Sequence, residues 1–253
     1  MEHESEDALL IRAVAAYKGV VADPATHGPL AEDLVDQARH CGHHEALVVA
    51  LRAAAWAERA QLDNERARTL LDEGVRLASR HGLEGRLVES LVTRAAVNLE
   101  LGRITAAQRD LDRAGHLVGP DAPPELQHQR AVLDQNLGRL SEAAAIYRAT
   151  LADPRTPLDV QAKMANNLAI IEAQRGELPA ALRSLVRAAA AAEGAGPALA
   201  AVVAQTTASV YVQAGRLHEG ISRFDDAARR RPPRQTHVPA NAAPRVVRPA
   251  GLR

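Results

Sequence analysis

The sequence predicts an all-α protein in which about six antiparallel helical hairpins stack into a solenoid. Composition supports the helices: hydrophobic residues make up 47% of the 253 residues, but aromatic residues only 2%. Alanine and leucine dominate the apolar set beside 25% charged residues. Ala, Leu, Arg and Glu are good helix formers, whereas the residue types that favour strands are few. An internal repeat supports the hairpins and their stacking.

Four segments carry the repeat: LELGRITAAQRDLDRA at 99–114, QNLGRLSEAAAIYRAT at 135–150, AQRGELPAALRSLVRA at 173–188 and VQAGRLHEGISRFDDA at 212–227. Their glycines lie 36, 38 and 39 residues apart, at Gly102, Gly138, Gly176 and Gly215. Seven residues before each glycine stands an alanine: Ala95, Ala131, Ala169 and Ala208. Five residues after it stands a small residue: Ala107, Ala143, Ala181 and Gly220. Nine after it stands a large apolar one: Leu111, Tyr147, Leu185 and Phe224.

This spacing indicates pairs of closely packed helices. Small residues at fixed places on two successive helices let the helices approach, and large residues one turn away fill the groove between them. Such a hairpin exposes an apolar face, so a stable protein needs several of them stacked around a continuous core.

Two weaker copies precede these four. In AQLDNERARTLLDEG, Leu62 takes the place of the turn glycine, and Ala55, Ala67, Leu71 and Gly74 keep the other offsets. Residues 1–42 predict a degenerate first hairpin, with a helical pattern from Asp7 to Tyr17. A loop with proline and glycine (ADPATHGP, 22–29) follows, and then a second helix to His40.

The repeat resembles the tetratricopeptide repeat (TPR), whose marks are these alanines, the turn glycine and a later aromatic or leucine. The last copy matches best, through Ala208, Tyr211, Gly215, Phe224, Ala227 and Pro232. The period exceeds the usual 34 of the family. The resemblance implies a right-handed superhelix over 43–232. The Ala- and Arg-rich copies also look like the TPR arrays N-terminal to CHAT domains in bacterial proteins, and like arrays attached to bacterial regulators.

The resemblance further implies that first helices line a concave groove that binds a peptide or partner protein. NNLA at 166–169 is similar to the first helix of kinesin-light-chain-like repeats, which implies a peptide contact for Asn167, with Asn166 beside it. The same register adds Lys163, Ile170, Gln174, Gln205, Ser209, Gln213, His128, Val132, Gln135, Asn136, Arg52, Trp56 and Arg59. Two alternatives stay open: both asparagines hydrate or cap a helix surface, and Trp56 fills the core instead of anchoring a partner.

The stretch ARHCGHHEA at 38–46 places three histidines beside the only cysteine. A metal site needs three or four ligands that converge, whereas a helix that ends in Arg and His before a glycine is a common C-terminal cap. The copy ASRHGLEGR at 78–86 shows the same order. We therefore expect an inter-hairpin turn, with no metal, and no nucleophilic role for Cys41.

No phosphate loop, Gly-flanked serine or HExxH motif is present, so we expect neither an enzyme nor a cofactor nor a small-molecule substrate. The acidic start MEHESEDALL lacks the regions of a signal peptide, and no apolar run reaches the ~20 residues of a membrane span. These features predict a cytoplasmic protein without a membrane partner.

The last residues break the pattern. Residues 229–253 hold seven arginines and no acidic residue, while residues 1–228 hold 24 basic and 31 acidic ones, a net charge of −7. We expect 233–253 to form a disordered Pro/Arg-rich tail. The tail has no interleaved aromatic residues that would stack on bases. Weak nucleic-acid binding through its arginines is therefore only an alternative function. We expect the array to be truncated at this point. A second interpretation is therefore that the chain is the sensory or regulatory part of a larger protein.

Overall fold

The computed structural model describes residues 2–230, and the part it describes is helical throughout, with short turns and no strand. In chain order its twelve helices are α1 (Glu2–Ala22), α2 (Pro24–Cys41), α3 (His44–Ala60), α4 (Asn64–Arg80), α5 (Glu84–Glu100), α6 (Ile104–Val118), α7 (Pro124–Asn136), α8 (Leu140–Ala152), α9 (Leu158–Gln174), α10 (Leu178–Ala195), α11 (Pro197–Gln213) and α12 (Leu217–Arg230). Consecutive helices pair as six hairpins. The predicted all-α solenoid is confirmed.

The repeat residues form the core between the paired helices. The first-helix alanines Ala95, Ala131 and Ala169 are fully buried, and so are their second-helix counterparts, Ala107, Ala143 and Ala181. Leu111, Tyr147 and Leu185 fill the adjacent space. Burial of each large side chain contributes about 1.5–3 kcal/mol, so these few positions hold each hairpin together.

The turns within the hairpins share one geometry. Gly102, Gly138 and Gly176 adopt φ of 72°, 77° and 77°. The next residue donates its backbone N–H to the carbonyl five residues earlier, as Arg103 does to Asn98 at 2.7 Å. This left-handed cap satisfies the last helical carbonyls and costs glycine no strain. The turn ends one helix and reverses the chain in three residues.

The predicted loop at 22–29 is wrong. Only Asp23 separates α1 from α2, and the stretch from Pro24 onward is helical. Asp23 accepts hydrogen bonds from the backbone and hydroxyl of Thr26, and Pro24 occupies the first helical turn, where its missing N–H leaves no bond unmade. Gly28 is buried against Ala57, where an added Cβ would lie 3.2 Å from the Ala57 Cβ. The glycine thus serves helix packing and not a loop.

Among residues 2–230, no helix combines the length and the apolarity needed to cross a bilayer. The expected tail at 233–253 lies outside the described residues, and its disorder stays a prediction, as do the domain boundaries.

Leu62 is the described non-glycine residue with positive φ, at 66°, and it occupies the turn position that glycine holds in the later copies. Its Cβ is strained in this conformation, which costs roughly 1 kcal/mol. We expect Leu62→Gly to raise the free energy of unfolding by about 0.5–1 kcal/mol in urea titrations. The matched control is Gln61→Gly, one residue earlier at φ −88°, which should lower it instead. A lower stability for Leu62→Gly would contradict the strain argument.

Candidate functional site

The first helices of the hairpins form the inner layer of the superhelix. Successive first helices pack directly on one another, α3 on α5, α5 on α7, α7 on α9 and α9 on α11. Successive second helices are joined by long arginine side chains: Arg39 of α2 reaches Glu73 of α4 at 2.9 Å, and Arg113 of α6 reaches Ser79 of α4 at 3.0 Å. Closer spacing on one side of a stack makes that side concave, so the first helices line the groove.

In the N-terminal half of the groove, the predicted cations are already paired. Arg52 lies over the ring of Tyr17, 3.9 Å from its centroid, and forms an ion pair with Glu89 of α5. Arg59 donates from Nε to both carboxylate oxygens of Glu100, at 2.8 and 2.9 Å. Their side chains are 15% and 19% exposed. Both arginines therefore tie α3 to its neighbours and present little free charge to a partner.

Trp56 is half-buried beside this cluster. The guanidinium of Arg59 lies 4.4 Å from the Trp56 ring centroid, and the indole Nε1 is buried without a hydrogen-bond partner among the described residues. Trp56 also packs against the N-terminal core. Trp56 therefore combines features of both roles that the sequence left open, a side chain that fills the core and one that anchors a partner.

In the C-terminal half, a chain of polar groups links α7, α8 and α9. The hydroxyl of Tyr147 donates to Gln135 Oε1 at 2.9 Å and accepts from Asn167 Nδ2 at 3.2 Å. Asn167 Nδ2 also lies 3.4 Å from Nε2 of His128. The amide nitrogen of Asn167 is therefore held by the protein itself, and the side chain orders the groove.

The two asparagines differ in exposure. Asn167 is half-buried, but Asn166 is only 4% exposed, with its Oδ1 buried and without a hydrogen-bond partner among the described residues. The prediction that Asn166 lines the groove is wrong, because packing in the C-terminal core encloses its side chain. Neither asparagine fits the alternative of a hydrated helix surface.

The remaining predicted residues of α9 and α11 keep accessible side chains. Gln174, Gln205 and Gln213 are exposed and form no side-chain hydrogen bond within the described part of the chain, and Ser209 and Ile170 are partly exposed. Lys163 forms an ion pair with Asp159 at 2.8 Å. On α7, Val132 is partly exposed, while Asn136 donates to the Val132 carbonyl at 2.8 Å. Free amide groups thus concentrate on the C-terminal half.

Sequence reasoning missed the part that Tyr147 plays in this surface. The residue occupies a core position of the repeat, where other copies have Leu71, Leu111 and Leu185. Its ring is buried as theirs are, but its hydroxyl reaches the polar groups of α7 and α9. A tyrosine among leucines at one repeat position was the available signal.

The stretch at 38–46 forms the expected turn. Gly42 adopts φ 71°, and the backbone N–H of His43 donates to the Ala38 carbonyl at 3.1 Å. His43 Nδ1 accepts from the N–H of Ala46, which caps α3, and the His44 ring stacks on His81 at 3.7 Å. Within the part that the structure describes, no three potential metal ligands converge. Cys41 is exposed as a free thiol.

Withdrawal of the His128 ring from water lowers the pKa of His128 to about 3, and the positive charge of Lys163 acts in the same direction. A neutral ring can accept at Nε2 from Asn167; a protonated ring cannot. The unfolded chain, with an ordinary pKa near 6.5, takes up this proton first as the pH falls. The stability that the neutral His128 ring contributes is therefore fully present above pH ~6.5 and is lost progressively as the pH falls below that value.

We expect the free energy of unfolding to fall by up to about 2 kcal/mol more between pH 7 and pH 5 in wild type than in His128→Gln. Urea titrations at both pH values measure this difference. Because every other histidine is common to both proteins, equal pH dependence would show that His128 is not withdrawn from water.

Comparison with known proteins supports the fold. No protein-family model and no curated protein matches the chain. Among solved structures, BtubC (BKLC) from P. vanneervenii is similar with a TM-score of 0.59 and 21% identity, over 91% of this chain and 97% of that one. The apo form of RapI gives 0.68 and 14% identity, over 91% and 85%. Both are TPR-type repeat proteins, so this chain has a TPR-like fold. The resemblance to arrays that precede CHAT domains stays a prediction.

Proposed function

We propose that the chain is a non-catalytic protein-interaction scaffold whose groove binds an extended peptide segment of a partner protein along α9 and α11. One observation carries the proposal. The exposed amides of Gln174, Gln205 and Gln213 lie on the inner layer without a hydrogen-bond partner in the described residues. An amide both donates and accepts hydrogen bonds, so these side chains can pair with the N–H and C=O groups of a peptide backbone.

The surroundings of these amides support the same conclusion. The Asn167, Tyr147 and Gln135 network holds the floor of the groove in place, which lowers the entropy lost when a peptide binds. Ile170 adds a partly exposed apolar side chain on α9. In the N-terminal half, Arg52 and Arg59 are engaged by Glu89 and Glu100, so that half offers fewer free groups.

We expect Gln174→Ala/Gln205→Ala to weaken binding of a groove peptide at least tenfold, because two hydrogen bonds of about 1 kcal/mol each are lost. The peptides are selected from a random library on the wild-type chain, and their dissociation constants are measured by fluorescence polarisation. The control is Gln37→Ala/Gln108→Ala, which removes two exposed amides from the second helices α2 and α6. It should bind as wild type does.

Equal affinity of both variants for every selected peptide would place the binding site elsewhere. Trp56 supplies an internal reporter, since it is the only tryptophan. A peptide bound along α9 and α11 leaves its emission spectrum unchanged. A shift on binding would move the contact to the N-terminal half, where Trp56 lies.

A further inference from the structure

A cleft of about 210 Å³ opens on the outer layer of the superhelix, between the second helices α8 and α10. The first helix α9 closes its bottom with Ala165 and Leu168, both of which are buried. Three arginines surround this apolar bottom, Arg148 of α8 and Arg183 and Arg187 of α10, and all three are exposed. The cleft is therefore a small apolar hollow that is ringed by positive charge.

Two of the three arginines are held in place by the protein. Arg148 donates from Nη2 to Oε1 of Glu172 on α9 at 3.0 Å, and the Glu172 side chain is only 5% exposed. Arg187 donates from Nη2 to the carbonyl oxygen of Leu151, from α10 to α8. A guanidinium has five N–H donors, so both arginines keep donors for a ligand. Arg183 forms no ion pair or side-chain hydrogen bond with any residue that the structure describes.

The charge of this cluster is not balanced. Glu172 is the carboxylate that contacts it, and both oxygens of Glu172 are engaged: Oε1 accepts from Arg148, and Oε2 accepts from the hydroxyl of Ser184 at 2.7 Å. One carboxylate against three guanidinium groups leaves two positive charges uncompensated among the described residues.

An earlier part of the array fills the equivalent space with carboxylates of its own. Between α4 and α6, Asp72 and Asp110 both accept hydrogen bonds from Arg94, at 3.0 and 2.5 Å. These two aspartates follow the turn positions of their hairpins by ten and eight residues, and the same offsets give Arg148 in α8 and Ser184 in α10. At these two positions a cation and a neutral hydroxyl thus replace the acidic groups.

We propose that the cleft between α8 and α10 binds the phosphate group of a phosphate monoester. At pH 7 such a group carries a charge of about −1.5 to −2 and three acceptor oxygens, which matches the two uncompensated positive charges. Arginine pairs with phosphate through parallel N–H donors, and Arg183 and Arg187, one helical turn apart, can both reach one phosphate. The cleft lies on the outer layer, so the inference does not depend on peptide binding in the groove.

Isothermal titration calorimetry of the full-length chain at about pH 8, where the monoester is doubly charged, tests the proposal. The probes are inorganic phosphate and a glycine-flanked phosphoserine peptide, each at constant ionic strength in chloride. Wild type should bind, and Arg183→Gln/Arg187→Gln should bind at least about tenfold more weakly, because charged hydrogen bonds are lost. Arg183→Gln alone, which removes no contact with a described residue, should also weaken binding.

The matched control is Arg109→Gln/Arg113→Gln, which removes the same charge from the same repeat positions on α6. Arg113 donates to Ser79 as Arg187 does to Leu151, so each double variant also loses one internal hydrogen bond. The control should bind as wild type does. Equal weakening in both double variants would reveal a general effect of charge and overturn the proposal, as would no heat of binding from either probe at millimolar concentration.

Two comparisons identify the source of the phosphate. Tighter binding of the phosphoserine peptide than of inorganic phosphate supports a phosphorylated side chain of a partner protein, whereas equal affinity supports a site for the phosphate group alone. Dimethyl phosphate, a singly charged diester like the links of a nucleic-acid backbone, should bind at least about tenfold more weakly than inorganic phosphate. Equal affinity for the diester would contradict the assignment to a monoester.

Discussion

The whole structure depends on the close contact between small residues of the two helices in each hairpin. Ala95 meets the core beside Ala107, and Ala169 beside Ala181, each pair within one packed cluster. A larger side chain at these positions would push the two helices apart. Overpacking a core in this way lowers the free energy of unfolding by roughly 1–3 kcal/mol. Because every hairpin supports the next, such a separation would change the curvature of the groove as well as the stability.

The inner surface that results is divided by its electrostatics. In the N-terminal half, Arg86 reaches both Glu45 and Glu89, and Arg52 and Arg59 close further ion pairs between α3 and α5. Pairs of this kind hold neighbouring helices in register, but they leave few groups for a ligand. In the C-terminal half, uncharged amides replace them, which is why the peptide is placed there.

The sequence by itself determined the hairpins, their number and most of their turns. Glycines, alanines and leucines at constant offsets record constraints that act within one hairpin, such as the left-handed cap at Gly102 or the burial of Ala107. These constraints are local, so they repeat and can be read. Leu62 differs from the turn glycines in residue type, but its backbone adopts the same positive φ.

The tertiary structure alone decided which side chains remain available. Arg59 finds Glu100 forty-one residues away, and Asn167 finds His128 thirty-nine residues away, on separate hairpins. Such contacts depend on how the hairpins stack, and no offset within one repeat encodes them. The burial of Asn166 beside the half-buried Asn167 has the same origin, because the neighbouring helices decide which side of α9 is covered.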